Sequence, residues 1–320
     1  MGLLGPDAIV EPIEATPPLH GLLDTAREAR DPAGTRWEMG FTFAPWACSN
    51  GGVWVPCQDR VDEGLGLGGS GSGSGEQTKD SGEAGDLIEF VPFVVWDERT
   101  CNTLGFRTID YKGQAVRRLE ASQHKQVEYE FWTGAQMNQA ELADGSPVAN
   151  MSLTNSVSLD QIVNPGTAQN PTPVSLKTSL RLLAQALANC AQGSRGMIHA
   201  TPYVAEAWAD EGYIKEEGGR LMTMTRGNLV VDGGGYPGTG PSVLTVDPAV
   251  ADSDLVWVYA TGMVEWRLSE IMTVPDENEI REALDRRINK IEYRAERFAA
   301  AVWDDCCTFA VLVDVCAGGC

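Results

Sequence analysis

The side chains able to do chemistry in this 320-residue chain are three histidines, eight cysteines and 45 acidic residues. His199 stands between an apolar run and Thr201-Pro202, at a strand-to-helix junction of the kind that carries catalytic groups, with Asp210 near it in sequence. An imidazole there could serve as the general base for a hydroxyl nucleophile. No G-x-S-x-G turn exists to present such a nucleophile, so the expected role of His199 is capping or packing. His20 and His124 share no spacing with it, and three imidazoles are poor material for a metal site. Cys48 and Cys57 lie close together, Cys101 and Cys190 stand alone, and Cys306, Cys307, Cys316 and Cys320 cluster at the end. The short C-x-x-C step of a zinc knuckle is absent. Cys101, Cys190 and Cys306 are therefore expected as free buried thiols that behave as small hydrophobes. Cys48–Cys57 and Cys316–Cys320 bridges would need an oxidising setting.

The glycine-rich run VVDGGGYPGTGP also fails as a binding motif. A dinucleotide fingerprint needs G-x-G-x-x-G ahead of a helix and a P-loop needs GK[ST], whereas Gly238-Thr239-Gly240 leads into Pro241. A turn with positive φ angles is expected there instead. Acidic pairs such as Glu270 with Asp276, or Asp304 with Asp305, are uninformative in so acidic a chain. The expectation is no catalytic, cofactor-binding or metal residue, and hence no enzyme.

The elements carry more information than any motif. Asp110–Trp132 has the spacing of one long helix, roughly 30 Å from end to end. Val116, Leu119, Gln123, Val127, Glu130 and Phe131 advance by threes and fours, while Arg117, Arg118, Glu120, Lys125, Glu128 and Glu130 crowd its polar side. Such a helix lies across a surface. Ahead of it, residues 1–36 are broken by Pro6, Pro12 and Pro17–Pro18, with one short helical piece at Leu22–Arg30. Arg36–Cys57 holds Trp37, Trp46 and Trp54, either as a local aromatic core or as a contact surface. A Gly/Ser-rich stretch with little to bury follows, and then the extended run Leu87–Cys101. Two extended stretches around a flexible tip suggest a protruding β-loop.

After the helix comes an α+β body. Leu176, Leu180, Leu183 and Leu187 stripe a core-facing helix at Ser175–Ala191. Met197–His199 reads as a buried strand, Thr201-Pro202 opens a second helix, and a hairpin leads into the glycine-rich turn. Asp254–Met272 gives two strands around Thr261-Gly262, Pro275–Ala300 reads as a charged helix that breaks partway, and Phe309–Cys316 is a terminal buried strand. The formal charge of -21 sets the protein's field against a phosphate backbone, which excludes gripping nucleic acid across the whole surface. It is compatible with a wall that encloses DNA without holding it. No run reaches the length of about 18 apolar residues that a membrane span needs, and no basic-then-apolar leader opens the chain.

The order of arm, β-loop, long helix and α+β body resembles the major capsid proteins of tailed bacteriophages and the related encapsulin shells. The phrases RRLEASQHKQVEYEFWTG, GMIHATPYVAEAW, GGGYPGTGP and ATGMVEWRL are similar to those of capsid proteins from phages of high-GC Gram-positive hosts. The resemblance implies an α+β, HK97-like capsid fold with an N-terminal arm (1–36), an extension-loop region (37–109), a spine helix with the start of the peripheral domain (110–174), a peripheral and axial body (175–316) and a tail (317–320). It implies no cofactor, and self-assembly into hexamers and pentamers of a virion shell formed in the host cytoplasm. The shell would enclose double-stranded DNA without reading its sequence, with a scaffold, portal or decoration protein as further partner and no membrane. Tail or head–tail proteins, compartment shells with protein cargo, and an enzyme with a site near His199 are the alternatives. Inter-subunit contacts are expected from Trp37, Trp46, Trp54, Phe90, Phe93, Trp96, Arg117, Arg118 and Tyr236. The lysine–asparagine crosslinks of some relatives would need Lys79, the one lysine before the helix, and partners that the sequence does not identify.

Overall fold

The computed structural model describes residues 16–30, 36–43, 87–102, 110–141, 148, 150–190, 195–251, 254–275, 287, 290–304 and 307–317. In chain order the elements begin with α1 (Leu22–Thr25), β1 (Arg27–Glu28), β2 (Phe41–Phe43), β3 (Ile88–Phe90), β4 (Phe93–Asn102) and α2 (Tyr111–Thr133). Next come β5 (Gly166–Thr167), β6 (Asn170–Pro171), β7 (Val174–Ser175), α3 (Leu176–Cys190), β8 (Met197–Ala200), α4 (Pro202–Asp210), β9 (Ile214–Glu217), β10 (Arg220–Thr223) and β11 (Leu229–Asp232). The chain ends with α5 (Pro248–Ala251), β12 (Leu255–Thr261), β13 (Glu265–Leu268), β14 (Met272–Val274), β15 (Lys290–Val302) and β16 (Phe309–Asp314).

A seven-stranded mixed sheet runs in the order β7-β16-β12-β8-β11-β10-β9. Its central strands are buried on both faces, which is why their sequences are almost continuously apolar. Ile198, Val230, Val258, Val311 and Val313 point to one face and pack against Leu180, Leu183 and Leu187 of α3 and Trp208 of α4. Met197, Leu229, Val231, Trp257, Tyr259 and Leu312 point to the other, into a core shared with α2. The leucine stripe expected at 175–191 and the Thr201-Pro202 helix start are thus both present.

The second sheet is built on β15. Along one edge it pairs antiparallel with β4, from Lys290↔Asn102 to Ala299↔Phe93; along the other it pairs with β14 and then β13, to which β1 adds in parallel. The sequence reading made Lys290–Ala300 part of a helix, and the structure makes it a strand. Ile291, Ala295 and Ala299 are buried at steps of four, a spacing that fits one face of a helix and, being even, one face of a strand equally well. Neighbouring strands on both edges decide the matter, overriding the helix preference of Glu, Arg and Lys. Residues 276–286 and 288–289 of that expected helix lie outside the described residues.

The two strands expected around Thr261-Gly262 are present as β12 and β13, which belong to different sheets. Two further expectations are revised. The helical piece at Leu22–Arg30 shrinks to α1, and the chain then turns extended to pair β1 with β13. Cys190, expected as a free thiol, is bonded to Cys307 across 117 residues, and Cys316 is disulfide-bonded as well. Spacing alone does not reveal such a pairing, because the sheet brings the end of α3 beside the segment before β16. Cys48, Cys57, Cys306 and Cys320, and the side chain of Cys101, lie outside the described residues.

Closing so long a loop stabilises a fold by about 2–4 kcal/mol. Reductant is therefore expected to lower the thermal midpoint of the wild type by several degrees, and to lower that of Cys307→Ser, which already lacks this bridge, by distinctly less. A wild-type midpoint indifferent to reductant would contradict the bridge.

Candidate assembly site around the long helix

α2 starts where Asp110 accepts the Gly113 N–H at 2.8 Å and ends where Gly134, at φ 60°, donates to the Glu130 carbonyl at 2.7 Å. Its first half lies across the β4/β15 face, with Ala115, Leu119 and Val127 in one core with Phe93, Val95, Ala295 and Ala299. Polar side chains fix the register. Gln126 accepts from the Trp96 N–H at 3.1 Å and donates to the Trp96 carbonyl at 3.0 Å, so it occupies the free edge of β4 as a neighbouring strand would. Asp97 pairs with Arg118 Nε at 3.0 Å and accepts from Ser122 at 3.3 Å, and Gln123 accepts from Arg297 at 3.1 Å.

The C-terminal half is engulfed. The Phe131 ring lies 4.8 Å from Trp303 and 5.1 Å from His199, and Trp132 lies 4.8 Å from both Tyr236 and Tyr259. Trp132 Nε1 and the Tyr259 hydroxyl both donate to the Thr239 carbonyl at 3.1 Å, which binds the glycine-rich loop to the helix end. Leu153 and Thr154 N–H groups close the carbonyls of Phe131 and Trp132. The sequence reading of a helix that only lies across a surface holds for its first half and fails for its second.

Glu128, placed on the polar side, and Glu130, placed both there and in the stripe, are both buried. Glu130 accepts from the N–H groups of Gln136 and Met137 at 3.0 and 2.9 Å. Glu128 accepts from Leu22 N–H at 2.9 Å and Gly235 N–H at 2.8 Å, and burial lifts its pKa to about 7 against the pull of those two bonds. The glycines of the loop are explained mainly by close approach. Of Gly233, Gly234, Gly235, Gly238 and Gly240 only Gly238 has positive φ, whereas a Cβ on Gly235 would strike the Lys125 carbonyl and one on Gly233 the Tyr236 ring.

His199 is fully buried on β8. Its Nε2 lies 2.9 Å from Thr261 Oγ1 and its Nδ1 3.0 Å from the Tyr236 hydroxyl. Thr261 donates its own proton to the Gly262 carbonyl, so Thr261 must accept from Nε2–H, and Nδ1 accepts from Tyr236. Burial pushes the pKa of this imidazole down to about 3 and that of Tyr236 well up. A neutral ring with both nitrogens engaged and no solvent access cannot move a substrate's proton. Among the described residues no group of three His, Cys, Asp or Glu could hold a metal ion, and no helix is long and apolar enough to cross a membrane.

The contact residues read from sequence fall into three sets. Trp37, Phe90, Phe93 and Tyr236 are buried in their own chain. Their apolar bulk serves this core, which composition cannot tell apart from an interface. Trp46 and Trp54 lie outside the described residues. Trp96, Arg117 and Arg118 are exposed, although Arg118 holds Asp97. The register places Trp96 on one side of Glu296 and Met272 on the other, Val94 beside Phe298, and Val274 beside Arg294, all on the sheet face opposite α2. Trp96, Val94, Met272 and Val274 are between 38% and 50% exposed there. Trp96 and Val94 on β4 and Met272 and Val274 on β14 flank a central row of Arg294, Glu296 and Phe298 on β15, in which Arg294 and Glu296 form an ion pair at 3.0 Å. The sequence reading found Trp96 and missed the other three: Val94 shares its face two residues away on the same extended run, while Met272 and Val274 join only through the strand that had been read as a helix.

No family model and no curated protein sequence matches the chain. Solved structures do. The capsid of an empty GTA particle aligns with 98% of this chain and 96% of its own at a TM-score of 0.50 and 10% identity. The Gordonia phage Cozz structure aligns at 0.49 and 12% identity, covering 98% and 92%, and the SrpI encapsulin of Synechococcus elongatus PCC 7942 at 0.45 and 12%, covering 72% and 76%. At these identities the likeness establishes the fold, and it is the GTA capsid alignment that carries it. The chain has the α+β, HK97-like capsid fold expected from the order of its parts.

Nitrogen-detected NMR is expected to find His199 as the neutral Nε2–H tautomer, unchanged from about pH 8 to about pH 5. Because its folded pKa lies below the unfolded value, this group costs stability as pH falls from about 6.5 towards 3. Titration near 6.5 in the native protein would contradict the buried network.

Proposed function

We propose that this protein is the structural subunit of the icosahedral head shell of a tailed phage, which assembles from hexamers and pentamers of the chain and encloses double-stranded DNA. The observation that supports this best is the HK97-like fold aligned over 98% of the chain, in a molecule that leaves Trp96, Val94, Met272 and Val274 exposed on one sheet face. In this reading residues 1–36 act as an arm, 37–109 as an extension loop, 110–174 as spine and start of the peripheral domain, and 175–316 as peripheral and axial body. Portal, scaffold or decoration proteins are the further partners.

The physical basis is repeated weak association. One apolar patch sealed at each of many identical contacts sums to a stable particle, since linked contacts raise one another's effective concentration. Trp96 is the anchor of the patch, with Arg117 and Arg118 as exposed contacts, because Trp and Arg supply most interface hot spots. A net charge of -21 suits an inner wall that does not bind the packaged polyanion.

The protein expressed alone is expected to give closed particles by electron microscopy and a matching mass by light scattering. Trp96→Glu, which leaves the Gln126 bonds to the backbone intact, is expected to stay folded while losing at least tenfold in assembly. Nucleic acid inside the particles separates a genome shell from a compartment for protein cargo. Rings or tubes of uniform diameter would move the assignment to a connector or tail protein, and assembly unaffected by Trp96→Glu would remove this face from the contact.

A further inference from the structure

The bond between Cys190 and Cys307 joins two very different sites. Cys190 is the last residue of α3 and is partly open to solvent, whereas Cys307 is fully buried. Their Cα atoms are 5.6 Å apart, an ordinary span for a bridge. Other contacts hold that span. Leu183 and Leu187 of α3 share one core with Val311 and Val313 of β16, and β16 pairs with β12 from Leu255↔Asp314 to Ala260↔Phe309. Next to Cys307, the buried Thr308 hydroxyl accepts from Trp303 Nε1 at 2.8 Å. The fold therefore sets the two sulfurs side by side whether or not they are bonded.

We propose that Cys190 is a thiol-modification site for small disulfides of the glutathione class and that Cys307 resolves the adduct, so that the pair forms a lock closed from outside after the chain has folded.

In the first step Cys190 gives its proton to water and its thiolate attacks a disulfide RSSR. The S–S bond breaks, RS⁻ leaves and takes up a proton, and Cys190 carries a mixed disulfide. Cys307 then gives up its proton, attacks the Cys190 sulfur and expels a second RS⁻, which is protonated in turn. Two protein thiols are oxidised to one bridge and one RSSR is reduced to two RSH. The order of the steps follows from access. A sulfur that is 0% exposed is out of reach of RSSR, while Cys190 meets it at the surface.

Reopening runs the same path backwards and is hindered. A thiol must attack at Cys190 and expel Cys307 as a thiolate into a site closed to water, where burial opposes the charge. A thiolate on Cys190 is opposed as well, by the negative end of the α3 dipole. With neither thiolate stabilised, the reduced pair gains nothing over the bridge, which therefore resists reduction. Strong reductant in a thermal scan still opens it, because heating exposes Cys307. The closed loop contains β8, β11, β12 and β15, strands from both sheets. A chain made in a reducing compartment thus gains this tie on reaching an oxidising one. The lock belongs to the single chain and does not rest on the shell reading.

The test starts from the full chain kept reduced from the cell onward. The native protein is exposed to oxidised glutathione, quenched with an alkylating agent and mapped by peptide mass spectrometry, with fragment ions separating Cys307 from Cys306. The wild type is expected to reach the Cys190–Cys307 bridge, with any transient glutathione at this pair on Cys190 alone. Cys307→Ser is expected to retain glutathione on Cys190, and Cys190→Ser to carry less than about a tenth as much on Cys307. Reduced glutathione is expected to open the bridge of the native wild type at least about tenfold more slowly than in denaturant. Glutathione on Cys307 of the native protein, a Cys190 left unmodified in Cys307→Ser, or a native bridge that opens as fast as the denatured one would each overturn the lock. The two wild-type measurements decide the matter even where a variant fails to fold.

Discussion

The burial of Phe131 and Trp132 is the interaction on which the rest of the structure depends. A long helix that only crossed one sheet would leave the second sheet as a separate body. Here the last turn of α2 passes off the β4/β15 face and enters the apolar face of the seven-stranded sheet, where Trp257, Tyr259, Met197 and Leu312 share one core with Phe93, Val95 and Ala299. Truncating a side chain as buried as Trp132 typically costs about 3–5 kcal/mol. Each well-placed aromatic pair contributes about 0.5–1.5 kcal/mol beyond its area. Against a domain stability of about 5–15 kcal/mol, the helix end decides whether the two sheets form one structure.

The polar groups near that point follow from the same constraint. A helix driven into a core carries its polar side chains with it, and each must find a partner there. Glu130 takes the N–H groups of the turn that follows the helix. Glu128 takes those of two remote segments and still retains a proton affinity near neutrality. His199 is held neutral between Tyr236 and Thr261. These groups have the composition of an active site without access to solvent, and their chemistry is spent on holding backbone in place.

Much of this was legible in the sequence. The helix Tyr111–Thr133, the α3 leucine stripe, the strand-to-helix junction at Thr201-Pro202 and the terminal strand follow from periodicity and capping, and the order of parts carried the fold. The failures share one cause: the information lay in tertiary contacts. Buried alanines at steps of four on Lys290–Val302 fit either period until β4 and β14 are placed beside them. Glu128 and Glu130 look like solvated charges unless the N–H groups that approach them are known. Cys190 and Cys307 meet because a sheet brings them together. The exposed face with Trp96 was half visible: Val94 follows from alternation along one extended run, whereas Met272 and Val274 join it through pairings that only the correct strand assignment reveals.

The central claim is that one helix end makes both sheets a single cooperative unit. Native-state hydrogen exchange under increasing denaturant measures this directly, by comparing β15 of one sheet with β12 of the other. The account predicts that their slowest amides converge on one opening free energy and one denaturant dependence, because neither sheet survives withdrawal of Phe131 and Trp132. Two separate isotherms, with β15 opening while β12 stays closed, would contradict it.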